Sequence, residues 1–110
     1  MVLIFLTALG LANVPDPSIK TCQQFVDAKK ELSVKVLDHQ KKMNSIRQRN
    51  GRPDRADYEI ATALKNRSKE LQATETALKN AGVIDLECKK KLNALEMEEL
   101  KSASDVLGDN

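Results

Sequence analysis

Between residues 16 and 48 the apolar positions recur on a period of about 3.5. Cys22, Phe25, Leu32, Val36, Met43 and Ile46 form the line, and Lys29 and His39 fall on it too. That period places one mostly apolar stripe along a single long helix. The pattern predicts a helix from Asp16 to Gln48, behind a stiff leader of Asn13, Val14 and Pro15. Asp16 can accept hydrogen bonds from the first free backbone N–H groups, and Pro17 suits the first helical position. Arg49 to Pro53 stops the helix: Gly51 tolerates a positive φ, and Pro53 disfavours helix at Arg52.

A second helix is predicted from Pro53 or Asp54, with Asp54 and Asp57 near its positive end. Its stripe is Ile60, Leu64, Leu71 and Leu78, flanked by Ala61, Ser68 and Ala81. Asn80-Ala81-Gly82 ends it, with Gly82 suited to the left-handed position and Val83 able to fold back on Leu78. Asp85 then caps a third helix, whose broad face carries Leu86, Cys88, Leu92, Leu95, Ala103 and Val106, widened by Met97, Leu100 and Leu107. Three helices on short connections pack up, down, up. The expected fold is therefore all-α: a long helical hairpin plus a shorter third helix, closed by one disulfide.

The bridge is expected from chain geometry. Cys22 lies about 29 residues before Gly51 and Ala81 about 30 after it, so at 1.5 Å per residue both arms of the hairpin rise roughly 44 Å. The third helix then begins level with Cys22, and Cys88 lies in its first turn. A bond between them would close a loop of about 65 residues, which chain-entropy arguments put at roughly 4 kcal/mol. The third helix has only about twenty residues and should end near the height of Lys41. Beyond it the bundle is two helices thick. Met43 and Ile46 on the first helix and Tyr58 and Ile60 on the second lose their third wall there, among Lys41, Lys42, Arg47, Arg49, Arg52 and Arg55. An apolar strip rimmed by arginine has the composition of a protein-binding surface.

Composition sharpens this picture. The chain has 110 residues, of which 31% are charged and only 3% aromatic, so the core is thin and aliphatic. A hydrophobic fraction of 41% is too high for a chain disordered throughout. A net charge of +2 does not by itself call for a polyanion. Residues 1–12, MVLIFLTALGLA, resemble the apolar region and small-residue cut site of a secretory signal peptide, though no Lys or Arg precedes Lys20. The expectation is an exported chain, periplasmic or secreted, with residues 13–110 as one helical domain and no transmembrane span once the signal is removed. Export favours a bridge over two inert thiols.

Catalytic and cofactor patterns are sparse. His39 is the single histidine, with no evident acidic residue to orient it as a base. It stands about 25 Å along the helix from Cys22, too far to share a zinc ion with it. Glu96, Glu98 and Glu99 are one and two apart, so they point different ways and read as a solvated face. Neither a Cys-x-x-Cys pair, a glycine-rich phosphate loop nor a serine nucleophile elbow occurs. No enzyme activity, cofactor or metal is expected. Nucleic acid is disfavoured as a partner, because the basic tip carries one aromatic, Tyr58, and no binding motif.

In outline, an export signal followed by a small helical body with one early and one late cysteine is similar to several kinds of bacterial envelope protein. Acid-stress chaperones and immunity proteins against secreted toxins are among them. Thr21-Cys22 and Phe25 give a local echo of the former across five residues, but Cys88 lies further on than that pattern places its second cysteine. No family is assigned on it. The function expected is a non-enzymatic module that binds a protein partner through the tip. The alternatives are an inhibitor or immunity protein, a self-assembling structural or secretion subunit, and an acid-stress chaperone.

Overall fold

Three helices follow one another in a computed structural model that describes residues 14–108: α1 (Cys22–Gln48), α2 (Arg55–Asn80) and α3 (Leu86–Gly108). No strand occurs among the described residues. The expected signal peptide lies outside them, as do the side chains of Val106 and Leu107.

Each helix boundary has a local cause. α1 begins at Cys22 rather than at Asp16, because Thr21 and Gln24 form a capping box. The Gln24 N–H donates to Thr21 Oγ1, while the Gln24 side chain accepts from the Lys20 and Thr21 N–H groups. Asp16 is used elsewhere: its carboxylate accepts from the Ser18 N–H and hydroxyl, bending residues 16–19 into a turn. At the far end of α1 it is Asn50, with φ 57°, that takes the left-handed position expected of Gly51. The Asn50 N–H reaches Arg47 O and the Gly51 N–H reaches Ile46 O, closing a Schellman turn. Gly51 serves close approach instead: a methyl group there would stand 3.2 Å from Ile46 Cγ2 and 3.3 Å from Ile46 O. α2 is capped by Asp54 and Asp57 in a second reciprocal box. It ends as expected, with Gly82 at φ 77° and the Val83 N–H folding back onto Leu78 O. Asp85 caps α3 through the Cys88 N–H.

Cys22 and Cys88 form a disulfide, Cα–Cα 5.8 Å, across a sequence separation of 66. Ser33 Oγ donates to Glu99 Oε1 across the same separation of 66. Two links with one offset mean that α1 and α3 run parallel and in register. The same offset brings Gly108 level with Lys42, close to the expected height.

The core gathers at the disulfide end. Phe25 and Ala28 from α1, Leu71 and Leu78 from α2, and Cys88 from α3 are buried together with Ile19 and Ile84 from the flanking loops. All eight positions of the α1 stripe are buried or half-buried, including Lys29, whose ammonium sits 5.9 Å from the Phe25 ring centre with its stem along the apolar surface. α2 departs from the apolar reading. Ile60, Ala61 and Ala81 are exposed, and two polar residues, Asp57 and Thr74, are buried in the same row as Leu64, Leu71 and Leu78. The Thr74 hydroxyl donates to Glu70 O and accepts from the Asp16 N–H, so it fastens the leader to α2. On α3 only part of the expected face is inward. Leu95 is buried and Leu92 and Ala103 are half-buried, but Leu86, Met97 and Leu100 are exposed at 62–68%. The reason is that α3 packs on α1 without comparable contact to α2, which leaves half its circumference in water. α1 is thus the middle element of a flattened molecule, 50 × 35 × 16 Å.

Replacing both Cys22 and Cys88 by alanine should lower the unfolding free energy by about 4 kcal/mol. Urea denaturation followed by far-UV circular dichroism reads this as an earlier midpoint. An unchanged midpoint would mean the bridge does not restrain the chain. Thr74→Val, which leaves the Asp16 N–H without its partner, should cost about 1–2 kcal/mol in the same assay.

Candidate functional site

The loop between α1 and α2 forms one end of the molecule, and the sequence crowds positive charge there. Residues 41–55 hold six cations, Lys41, Lys42, Arg47, Arg49, Arg52 and Arg55, against the one acid Asp54. That segment is therefore five charges positive, in a chain whose whole net charge is +2.

Not all six cations are equivalent. Lys42 Nζ lies 2.6 Å from Asp57 Oδ1, and this carboxylate is almost wholly buried. The ammonium of Lys42 and the N–H of Asp54 hold the Asp57 carboxyl below its ordinary range, and Asp57 in turn raises the Lys42 amine. One carboxylate thus both caps α2 and ties α2 to α1, so the two arms are locked where the loop joins them. Arg55 pairs with Glu59 at 3.3 Å, fully in solvent, and contributes little to stability. Arg49 Nε donates to Ser45 O at its own helix end. Arg47 and Arg52 are exposed.

The apolar part of the expected surface is divided. Met43 and Ile46 are half-buried on α1, and Tyr58 is exposed at 63%. Tyr58 and Ile60 are two residues apart, hence about 200° around α2, with Asp57 turned inward. They occupy opposite flanks and do not make one strip. Ile60 instead borders a groove of about 270 Å³ between α1 and α2, with Ala28, Leu32, Leu64 and Arg67. A second groove, of about 480 Å³, opens between α1 and α3 over Leu32, Val36, Leu37, Leu95 and Ala103. It is where the third wall is incomplete.

A second polar clamp was not expected from the sequence. Arg67 Nη1 reaches Asp16 Oδ2 at 2.8 Å and also pairs with Glu70. The hydroxyl of Ser18, the Arg67 guanidinium and the Ser18 N–H hold the Asp16 carboxyl down from its ordinary 3.8 to about 2. Asp16 in turn raises Arg67. The available signal was weak: Asp16 and Arg67 are 51 residues apart, and only the fold joins them.

His39 is half-buried, and its Nδ1 is enclosed without a hydrogen-bond partner among the described residues. No group of three or more His, Cys, Asp or Glu that could hold a metal ion occurs among the described residues. No helix among them is long and apolar enough to cross a membrane. Comparison with protein-family models, with curated proteins and with solved structures gives no match for this chain.

Asp16 is held low in the folded chain, so its contribution is present above the unfolded value near 3.8 and is lost as pH falls through about 2. Asp57 acts in the same direction, whereas the Lys42 contribution is lost only at alkaline pH, above its ordinary 10.5. Asp16→Asn should therefore destabilise the protein at pH 7, and the gap from wild type should close between about pH 4 and pH 2. Urea midpoints across that range measure it. A gap that does not change with pH would mean the Asp16 charge is not used.

Proposed function

We propose that the chain is an exported, non-enzymatic helical binding module of the bacterial cell envelope, whose protein partner meets the α1–α2 tip. The observation that carries this reading is the separation of charge: five net positive charges within residues 41–55 of a chain that is nearly neutral. That charge stands on a hairpin end fixed in two ways, by the Lys42–Asp57 pair and by capping at both sides of the loop. A surface whose arms cannot splay loses little conformational freedom on binding. Arginine is also the cation best suited to paired hydrogen bonds with carboxylates.

The shape of the tip favours one version of this reading. A hairpin end is convex, so its natural counterpart is a concave acidic surface, such as the cleft of an enzyme that receives cationic substrates. An inhibitor or immunity protein works in this way. The acid-stress alternative draws less support, because Asp16 and Asp57, the two carboxylates that fasten the fold, are both held below the ordinary range and keep their charge well into acid. Export is supported by the disulfide, which persists in oxidising compartments.

Arg49→Glu combined with Arg52→Glu should abolish capture of the partner from an envelope extract, while the urea midpoint stays within about 0.5 kcal/mol of wild type. Both side chains are exposed, so folding is not at stake. Capture of the same protein at wild-type yield by the double variant would refute docking through the tip.

A further inference from the structure

We propose that the outward face of α3 pairs with the same face of a second copy of this chain, antiparallel, about a two-fold axis at Asn93. Leu86, Met97 and Leu100 are exposed at 68%, 68% and 62%. At 100° per residue all three fall within about 60° of one another, on the side of α3 opposite the buried Leu95. Lys90, Asn93 and Ser104 fill the same stripe and are exposed. Nothing within the chain covers this face, since α3 packs on α1 with its other side.

The charges around the stripe select the occupant. α3 is basic early, at Lys89, Lys90 and Lys91, and acidic later, at Glu96, Glu98 and Glu99. A parallel pair in register would set like against like. An antiparallel pair sets unlike together, and one register satisfies every flank. Asn93 is midway between Leu86 and Leu100, so an axis there places Leu86 of one copy against Leu100 of the other. Lys89 and Glu96 lie on one flank of the stripe, and the axis brings them level across the interface to within one residue, about 1.5 Å. Glu87 and Lys101 lie on the other flank and come level to within about 3 Å. Two-fold symmetry repeats each pair, giving four intermolecular ion pairs. Asn93 meets Asn93, and a slip of register would strand its amide opposite an apolar side chain.

The stripe is one helix wide and about 21 Å long. It buries less than the roughly 800 Å² per partner of a stable interface, so the association is weak and follows concentration. This surface is separate from the tip, and its behaviour is read independently of any partner there.

Sedimentation equilibrium of the oxidised chain from about 1 μM to about 1 mM tests the pairing, a range suited to weak complexes. The mean mass should rise from one chain towards two. Met97→Glu should reduce the association constant at least about tenfold, since it buries four like charges at the seam with Glu96. Lys89→Glu and Glu96→Lys should each weaken it several-fold, and the double variant should return to within about twofold of wild type. All these positions are exposed, so thermal midpoints should not move by more than a few degrees. A constant one-chain mass overturns the proposal. So does association that survives Met97→Glu, or a double variant no tighter than the single ones, because both place the contact elsewhere.

Discussion

The bond between Cys22 and Cys88 sets the position of everything beyond the hairpin. α1 and α2 would find each other without it, since a short loop, two caps and the Lys42–Asp57 pair hold them antiparallel. α3 has no comparable partner in α2. It is attached through a Schellman turn, a cap at Asp85 and one covalent link in its first turn. The link also fixes the axial register, which Ser33 and Glu99 repeat further along. The thin core follows from the same arrangement: it thickens only where all three helices come together around Phe25, Leu71, Leu78 and Cys88.

The backbone was legible in the sequence wherever a position has a single physical use. Gly82, Asp85 and the period of the α1 stripe each admit one reading, and the structure agrees with it. The pairing of the cysteines was legible because equal helix lengths decide it, whatever the side chains are. Boundaries were less legible where two residues compete for one task. Asp16 and Thr21 are both good caps, and the outcome turned on Gln24, which completes a box only with Thr21. Asn50 and Gly51 both tolerate a left-handed backbone, and Ile46 decided between them by leaving no room for a Cβ at residue 51.

The inward face of α2 was misread for a different reason. Hydrophobic periodicity cannot register Asp57 or Thr74, yet both are buried because each has its polar atoms engaged by groups distant in sequence. Conversely it promotes Ile60, Leu86, Met97 and Leu100 to a core that does not reach them. The basic end of the hairpin was legible as charge. Its division into cations already engaged, such as Lys42, and cations facing water, such as Arg47 and Arg52, depends on contacts between helices that no local pattern encodes.

Because α3 is held covalently at one end and rests on α1 alone, it has the mechanics of a lever. From Cys88 to Gly108 the arm is about 30 Å, so a rotation of about 10° at the disulfide carries its free end by roughly 5 Å. That swing changes the width of the channel between α1 and α3 far more near Ala103 than near Leu95. The single hydrogen bond from Ser33 to Glu99 sits partway along the arm and acts as its latch.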